Sequence, residues 1–242
     1  MTTDKLTEGQ SSLKIVHLSD LHSKWFGKDQ QRLIKVLKEE NPDIIVMTGD
    51  IIDSRRTKIE PAISLLNQTT EIAPTYFITG NHDVAINGYK DLLNKIEATG
   101  TTYLANTSHT IEHEGAFINL HGVDDSNYIG YKAFFKNLEA LSTAMDTEQF
   151  NILLVHKPRF LETYATLNYD LVFSGHAHGG QIKLPGIGGL FTPGQGFLPK
   201  FTEGVIKQDD TELVVSRGLG NSFFPFRILN NPEVVVLTIE PI

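Results

Sequence analysis

Residues 43–53 read DIIVMTGDIID, and this stretch gives the strongest indication of the fold. Its first part, Asp43 to Thr48, is a short apolar run typical of a strand that is buried on both faces. Gly49 then turns the chain and leaves Asp50 at the carboxyl end of that strand. In an open α/β sheet the carboxyl ends of the strands line the ligand crevice, so the stretch predicts both a core strand and a site beside it.

The same pattern of buried strand and amphipathic helix repeats on either side of this stretch. A helix at 28–40 is indicated by apolar residues at helical spacing, and Asn41-Pro42 ends it before the strand begins. The order β-α-β-α-β is typical of a sheet covered by helices. The other predicted strands are Leu13 to Ser19, Thr75 to Thr79, Asn151 to Val155, Asp170 to Ser174 and segments near 211–215 and 233–239, and the other predicted helices lie near 59–66, 88–98 and 134–145 and between the strands at 151–155 and 170–174.

Two segments depart from this alternation. Residues 109–113 and 116–121 are joined through Glu114-Gly115, which predicts a hairpin. Residues 184–199 contain no charge and many Gly and Pro. They predict a long irregular loop, and loops of this length inside compact domains are often functional.

The composition excludes several classes of protein. The chain has 242 residues, of which 40% are hydrophobic and 21% are charged, as in an ordinary globular protein. A net charge of −8 and the lack of a basic run argue against a nucleic-acid-binding surface. Because there is no internal repeat and no linker, we expect one domain over 1–242, with its core at about 13–181 and a loop with closing strands at 182–242.

The chain has no cysteine, which limits the chemistry available to it. Disulfides, thiolate zinc sites and cysteine nucleophiles are excluded, so His and carboxylates are the strong metal ligands that remain. No apolar run reaches about 18 residues, and the start has no signal-peptide features. We therefore expect a cytoplasmic protein without a transmembrane segment. Peripheral attachment to a membrane stays open, as does the loss of a leader before Met1.

Side chains that can bind metal ions follow each core strand directly. They are Asp20 and His22 after the first strand, Asp50 and Asp53 after the second, Asn81, His82 and Asp83 after the third, His156 after the fourth, and His176 and His178 after the fifth. Because the carboxyl ends of the strands meet at one crevice, we expect these clusters to converge. Gly, Asn and Asp also form ordinary turns, but turn chemistry gives no reason for the histidines.

The residue types match a site for two divalent ions. Ions roughly 3.5–4 Å apart need a small bridging carboxylate, and Asp50 on its glycine turn suits that role. One shell would be completed by Asp20, His22 and one of His176 and His178, and the other shell by Asn81, His156 and the remaining histidine. Alternation in His-x-His points the two rings to opposite faces, so the two residues can serve different ions. Nitrogen and oxygen ligands without sulfur favour Mn, Fe, Zn or Co over Mg or Ca.

Taken in order from Leu13 to Gln181, the motifs D-L-H, G-D-x-x-D, G-N-H-D, H and G-H-x-H resemble the calcineurin-like metallophosphoesterase superfamily. G-H-A-H-G-G-Q, followed by S-R-G-L-G and R-I-L-N-N-P-E, is similar to a bacterial phosphodiesterase branch. The resemblance implies a four-layer α/β/β/α sandwich of mixed sheets with a dinuclear metal site at the carboxyl ends of the strands. It implies that one ion is held by Asp20, His22, Asp50 and His178, and the other by Asp50, Asn81, His156 and His176.

The resemblance also implies a reaction. Two divalent ions, most favourably Mn, would hold a bridging hydroxide that attacks a phosphodiester or related phosphate ester. His82 would be the catalytic histidine outside the metal shell, with Asp53 as its orienting partner. The substrate would be a phosphate ester, lipid-like or linked to a nucleotide. A protein Ser/Thr phosphatase of the same superfamily and a non-catalytic scaffold on this fold are the alternatives, and the complete set of ligand types favours catalysis.

Several other polar residues have two interpretations each. His17 and His121 lie in or at the end of strands and are expected to be structural. Asp124-Asp125 could support the site or form a turn. Arg217 and Arg227 are candidate phosphate contacts, and surface ion pairs explain them nearly as well.

The segment Phe223-Phe224-Pro225-Phe226 could form an apolar patch near the metals together with residues 184–199. Such a patch would suit a lipid or an aromatic leaving group. Core packing is the competing interpretation and is slightly favoured.

Overall fold

Two six-stranded sheets lie face to face, and helices cover the outer face of each. The structure is a computed structural model that describes residues 1–6, 12–184, 186–192, 194–221 and 226–242. Its strands are β1 (Thr2–Thr3), β2 (Leu13–Leu18), β3 (Ile44–Met47), β4 (Thr75–Phe77), β5 (Thr102–Tyr103), β6 (Thr107–His113), β7 (Ala116–Gly122), β8 (Phe150–Leu154), β9 (Leu171–Ser174), β10 (Lys183–Leu184), β11 (Gly188–Gly189), β12 (Phe191–Thr192), β13 (Gly196–Phe197), β14 (Gly204–Gln208), β15 (Thr211–Val215) and β16 (Val235–Pro241). Its α-helices are α1 (Gln31–Glu40), α2 (Glu60–Thr69), α3 (Tyr89–Glu97), α4 (Ser126–Ile129), α5 (Tyr131–Ala144) and α6 (Leu161–Thr166).

Both sheets are mixed, with parallel strands at their centres. The first has the order β1-β16-β2-β3-β4-β5, in which β2 to β5 are parallel and β16 is antiparallel to β2. The second has the order β14-β15-β9-β8-β7-β6, in which β7, β8, β9 and β15 are parallel while β6 and β14 run antiparallel to their neighbours. In each sheet the carboxyl ends of the central strands therefore lie at one edge, where ligand sites form.

Three apolar layers hold this sandwich together. Val46 of the first sheet and Phe173 of the second belong to the layer between the sheets. Ile45, which directly precedes Val46 in β3, faces the outer side of the first sheet and packs with Leu37 of α1. This follows because successive strand residues alternate between the two faces of a sheet. Leu138 of α5 belongs to the layer outside the second sheet. Each such side chain contributes roughly 1.5–3 kcal/mol by its burial, and the α/β/β/α order confirms the predicted fold class.

The predicted core strands and the hairpin are confirmed, with strand ends shifted by one or two residues. The hairpin pairs β6 with β7, and His113 stands opposite Ala116 across the Glu114-Gly115 turn. No helix in the described part of the chain combines the length and the apolar character that crossing a membrane requires. The assignment of 1–242 to one domain stays a prediction.

The prediction of an irregular loop over 184–199 is wrong. This region contains two short antiparallel ladders, β10 with β11 and β12 with β13. Strands of two residues are too short for apolar alternation, and β11 consists only of glycines, so no side-chain pattern marks them in the sequence. β14 also lies outside the predicted strands, because it is a mostly exposed edge strand.

Candidate metal centre

The turns after β2, β3, β4, β8 and β9 bring the acidic residues and histidines of five strand ends into one cluster. Their ligand atoms form three overlapping groups, and within each group these atoms lie within 4.8 Å of one another. The groups are Asp20, His22 and His178; Asp50, His156 and His176; and His22, Asp50 and His82. Each of these side chains belongs to a residue that is at most 9% exposed.

Pairs of ring nitrogens face each other inside this cluster. His22 Nε2 lies 3.1 Å from His178 Nε2, and His156 Nε2 lies 3.2 Å from His176 Nδ1. Two nitrogen lone pairs at this separation repel each other unless a proton or a metal ion lies between them. Asp50 Oδ2 lies 3.7 Å from His22 Nε2 and 3.3 Å from His156 Nε2. The carboxylate of Asp50 therefore stands between the two pairs.

Asn81, in the turn that follows β4, supplies a further oxygen. Its amide oxygen Oδ1 is buried and has no hydrogen-bond partner in the described part of the chain. An unsatisfied buried acceptor costs roughly 1–3 kcal/mol. A metal ion would satisfy such an oxygen as well as the facing ring nitrogens, and a mixed nitrogen and oxygen donor set suits Mn, Fe, Zn or Co. The residues present therefore fit divalent metal ions.

The electrostatics of the cluster favour added positive charge. Burial raises the pKa of Asp20, but the charge of His178 and hydrogen bonds from His178 and His22 outweigh it and hold this pKa well below its usual value. Burial likewise lowers the pKa of His156, but the charge and hydrogen bond of Asp50 raise it to about 10. The carboxylates thus stay ionised although they are buried. A divalent cation strongly stabilises ionised carboxylates in such an environment.

The backbone of the ligand turns adopts a conformation that most residues avoid. Five of the candidate ligands have φ in the left-handed region, namely Asp20 (53°), His22 (47°), Asp50 (52°), His176 (65°) and His178 (49°). This conformation costs a residue other than glycine roughly 1–2 kcal/mol. Such residues cluster at functional sites, where the surrounding structure fixes them. The sequence carries no signal for this strain.

Two glycines allow the turns to approach one another. A Cβ atom on Gly80 would lie 2.2 Å from Asp50 Oδ1, and a Cβ atom on Gly175 would lie 1.9 Å from Ser19 Oγ. Both distances are far shorter than the separation at which non-bonded atoms attract each other. The glycine that precedes Asn81 and the glycine that precedes His176 are therefore required by packing.

A chain of hydrogen bonds holds Asp20 from the interior. Ser19 Oγ donates to Asp20 Oδ2 at 2.6 Å, and Thr48 Oγ1 donates to Ser19 Oγ at 2.9 Å. Because the Thr48 proton is engaged with Ser19, His17 Nε2, 2.7 Å from Thr48 Oγ1, is the donor to it. Burial lowers the pKa of His17 to about 3, so the ring is neutral. The chain fixes Asp20 Oδ2, while Oδ1 faces His178 at 3.2 Å.

Asp83 ties together the turns that follow β3 and β4. Its Oδ2 accepts the backbone N–H groups of Asp50 at 2.7 Å and Gly80 at 2.9 Å, and its Oδ1 accepts that of Ile52 at 3.0 Å. Burial, together with the charge of Asp50, raises the pKa of Asp83 to about 7. The G-N-H-D motif contains this residue, but the motif alone does not show that its side chain turns back to the preceding strand end.

The contacts of His82 differ in part from the expected ones. Its Nδ1 accepts the backbone N–H of Ser54 at 3.3 Å and lies 3.0 Å from Ser54 Oγ, whereas Asp53 Oδ1 is 3.5 Å away. An accepting Nδ1 places the proton of a neutral ring on Nε2. Burial lowers the pKa of His82, and the charge of Asp50 only partly offsets this. The sequence does not predict the contact between Ser54 and His82, because a serine after Asp53 is not a distinctive pattern.

The two candidate arginines have different surroundings. Arg217 Nη2 pairs with Glu233 Oε1 at 2.9 Å, which matches the ion-pair interpretation. Arg227 Nη2 donates to the carbonyl oxygen of Arg217 at 2.9 Å and lies 3.3 Å from His178 Nδ1. Its Nη1 is buried without a hydrogen-bond partner among the described residues. Arg227 therefore contacts the cluster directly, and Arg217 does not.

The remaining polar candidates support the surrounding structure. Asp124 accepts a hydrogen bond from Thr79 Oγ1 at 2.8 Å, and Asp125 accepts one from the buried Lys157 Nζ at 3.0 Å. Lys157 follows His156 and has no motif that would single it out. His121, predicted to be structural, has both ring nitrogens within hydrogen-bond distance of neighbours.

The aromatic segment at 223–226 is described only in part. Phe223, Phe224 and Pro225 lie outside the described residues. Phe226 is 65% exposed, so the favoured interpretation of core packing is wrong at this residue.

Comparison with known proteins agrees with this geometry. Residues 13–180 match the family model of the calcineurin-like phosphoesterases. The chain belongs to this family. The metallophosphoesterase YkuE of Bacillus subtilis (strain 168) is 35% identical over 243 residues, which cover 97% of this chain and 82% of YkuE. A metallophosphoesterase of Aquifex aeolicus (strain VF5) is 32% identical over 246 residues, which cover 98% of this chain and 88% of that protein.

A solved structure shares the fold of this calcineurin-like phosphoesterase. A dimetal phosphatase from Danio rerio has a TM-score of 0.56 over 85% of this chain and 87% of that chain, at 9% identity. Membership of the family means that the chain is a metal-dependent phosphoesterase. Phosphate esters are therefore its substrates and divalent metal ions its cofactors.

Proposed function

We propose that the chain hydrolyses phosphodiesters with two divalent metal ions, and that Mn is the best activator. The position of Asp50 Oδ2, 3.7 Å from His22 Nε2 and 3.3 Å from His156 Nε2, supports this most directly. Two ions that act on one phosphate need a shared carboxylate between their other ligands. One ion would be held by Asp20, His22, Asp50 and His178, and the other by Asp50, Asn81, His156 and His176.

When bound, two divalent ions would neutralise phosphate oxygens and lower the pKa of water at the site. Hydrogen bonds within the chain orient the ligand side chains for metal binding. His156 Nδ1 lies 2.7 Å from the carbonyl oxygen of Thr48, which accepts its proton and leaves Nε2 free to bind. As general acid, the doubly protonated His82 would give its Nε2 proton to the leaving oxygen and become neutral, with the Nδ1–H facing Ser54 Oγ at 3.0 Å. Asp53 would stabilise the charge of the ring when it carries a second proton.

One feature supports a diester as the substrate class. The motif G-H-A-H-G-G-Q resembles that of a bacterial phosphodiesterase branch. The absence of cysteine supports direct attack by activated water, for a diester and a monoester alike. A lipid-like or nucleotide-linked ester could be the substrate.

Turnover and metal content of the same preparation test this proposal. Protein stripped with a chelator and reloaded with Mn should hydrolyse bis-p-nitrophenyl phosphate faster than p-nitrophenyl phosphate or a phosphoserine peptide, and should contain about two ions per chain. Preference for the phosphopeptide would make the chain a protein Ser/Thr phosphatase. Bound metal without any turnover would make it a scaffold, and a single ion in active enzyme would contradict the shared carboxylate.

The role of His82 can be tested through the leaving group. With p-nitrophenolate, which departs readily as an anion, His82→Ala should lose little activity beyond an electrostatic contribution. With an alkoxide leaving group the loss in kcat/KM should grow by a further factor on the order of 10²–10⁴. The measurement is kcat/KM across diesters of graded leaving-group pKa, with metal content determined on the same samples. An unchanged dependence on leaving-group pKa would rule out the general acid, and lost metal would identify His82 as a ligand.

A further inference from the structure

Large apolar side chains are exposed together on two neighbouring segments, residues 182–198 and 226–229. The most exposed of them are Phe197 (84%), Leu229 (68%) and Phe226 (65%). We call this surface the apolar face; its members are Leu184, Ile187, Phe191, Phe197, Leu198, Phe226, Ile228 and Leu229, each at least 40% exposed. Single exposed apolar residues are ordinary, but a group of this size marks a binding surface.

Backbone contacts join the two segments into one surface. Ile182 and Ile228 form a parallel bridge, and the N–H of Lys183 donates to the carbonyl oxygen of Ile228 at 3.0 Å. Leu184 and Leu229 then line the same open cavity of about 500 Å³. The hairpin of β12 and β13 is linked to the same segment, because the N–H of Leu190 donates to the carbonyl oxygen of Ile182 at 2.9 Å.

The apolar face is attached directly to the loop that carries two of the proposed metal ligands. Asn230 Nδ2, one residue beyond the face, donates to the carbonyl oxygen of His178 at 2.6 Å. Thr192 Oγ1 donates to the carbonyl oxygen of Ala177 at 3.2 Å. A molecular surface that contacts the face therefore comes to rest beside the metal centre.

The distribution of charge indicates what the face contacts. The chain carries a net charge of −8, yet it has no Asp or Glu between Asp170 and Glu203. The same is true between Glu212 and Glu233. These two acid-free segments contain the whole apolar face and four basic residues, Lys183, Lys200, Arg217 and Arg227. The acids that lie beside the face, Glu203 and Glu233, form ion pairs with Lys183 and Arg217. In an otherwise acidic protein, the surroundings of the face therefore carry more basic than acidic residues.

We infer that the apolar face docks the protein onto an anionic lipid bilayer, with the metal centre held at the lipid headgroups. Apolar side chains that enter the boundary between headgroups and acyl chains, combined with basic residues, are the features that bind proteins to such interfaces. A second copy of the chain fits less well. A symmetric dimer through this face would bring the basic residues around the face of both copies into one interface, without adding acidic residues to balance them.

Docking does not depend on the proposed function, because vesicle binding is measured without turnover. The full-length protein is sedimented with vesicles of equal parts phosphatidylglycerol and phosphatidylcholine, and separately with vesicles of phosphatidylcholine alone. Wild type should bind the anionic vesicles, and higher salt should weaken the binding. The double substitution Phe197→Ser and Leu198→Ser should lower the affinity about tenfold or more, since it removes two apolar side chains from the contact.

Two further variants test whether the loss of vesicle binding is specific to the apolar face and how much the basic charge contributes to it. Phe117→Ser, at an exposed position on β7 outside the apolar face, is the matched control and should bind vesicles like wild type. Lys200→Glu should weaken binding to the anionic vesicles more than binding to phosphatidylcholine. Circular dichroism and melting temperature establish that each variant is folded.

Several outcomes would overturn the inference. Absence of binding to either vesicle would do so, and so would equal losses in Phe117→Ser and in the double variant. A concentration-dependent wild-type dimer that the double variant abolishes, without vesicle binding, would assign the face to a second copy. Hydrolysis data enter none of these comparisons, so failure of docking and failure of the proposed diesterase activity are told apart.

Discussion

The metal centre and the apolar face both contact the loop at 175–181, but they are built in opposite ways. In the centre, a carboxylate such as Asp83 is fully buried and is held by three backbone N–H groups. On the face, Phe197 is 84% exposed and belongs to a strand of two residues. Side chains in the centre are thus fixed by their neighbours, whereas side chains on the face are available to a partner.

This difference predicts how far the effect of a substitution extends to neighbouring residues. Removing one partner inside a buried polar network leaves other groups without hydrogen bonds, at roughly 1–3 kcal/mol each. Changing an exposed side chain usually alters stability by less than about 0.5 kcal/mol. Five substitutions, in order of decreasing predicted effect, measure this contrast.

Asp50→Ala should have the largest effect, because Asp50 is the ligand proposed for both ions and its Oδ2 lies between His22 and His156. Loss of a donor to both ions should remove several kcal/mol of transition-state stabilisation, which is roughly 10³-fold or more in kcat/KM. The measurement is diester turnover with metal analysis. Asp91→Ala, at an exposed position on α3, is the control. A variant that keeps two ions and most of its activity would refute the bridging role.

Asp83→Asn should be the next most damaging change, although Asp83 is not a proposed ligand. An amide group of the same shape places N–H against at least one of the backbone N–H groups that the carboxylate accepts. We expect a 10- to 100-fold loss of metal affinity or activity, as is typical of groups that orient ligands. The free energy of unfolding should fall by about 1–3 kcal/mol. If metal titration gives the wild-type affinity, the turns do not need this contact.

Ser19→Ala should have a smaller effect confined to Asp20, since it removes one of two donors to Oδ2 and leaves the other, the backbone N–H of His176, in place. Affinity for metal should fall about tenfold, at the low end for such groups. Thr48→Val should follow with a weaker effect, because Thr48 is one hydrogen bond further away. Ser142→Ala, which breaks a hydrogen bond outside the cluster, is the control for stability alone. Equal metal affinities in all three variants would show that the chain does not position Asp20.

Phe226→Ser should have the smallest effect on folding. Because Phe226 is 65% exposed, its free energy of unfolding should change by less than about 0.5 kcal/mol. Phe173→Ala, in the layer between the sheets, should cost about 3–5 kcal/mol in the same denaturant titration. A large loss at Phe226 would mean that the apolar face is part of the core.

Much of the fold could be predicted from local pattern. The strand Ile44–Met47 is a continuous apolar run, and the Gly49-Asp50 turn after it follows from residue type alone. The ladders within 184–199 could not be predicted, because glycine carries no side chain whose alternation would reveal a strand. The exposure of Phe226 could not be predicted from the sequence either, because an aromatic residue has the same local pattern in a core and on a binding surface.

The residue types in the sequence establish which chemistry the site offers, because the metal-binding residues stand directly at the strand ends. Which atoms come into contact depends on the tertiary structure. His22 and His178 are 156 positions apart, and their 3.1 Å separation exists only because the two sheets pack together at the edge where the chain turns after β2 and after β9. The bond from Ser54 to His82 and the chain from His17 to Asp20 arise in the same way. Residue type and spacing act over a few positions, whereas hydrogen-bond partners across a packed core are set by the arrangement of the whole fold.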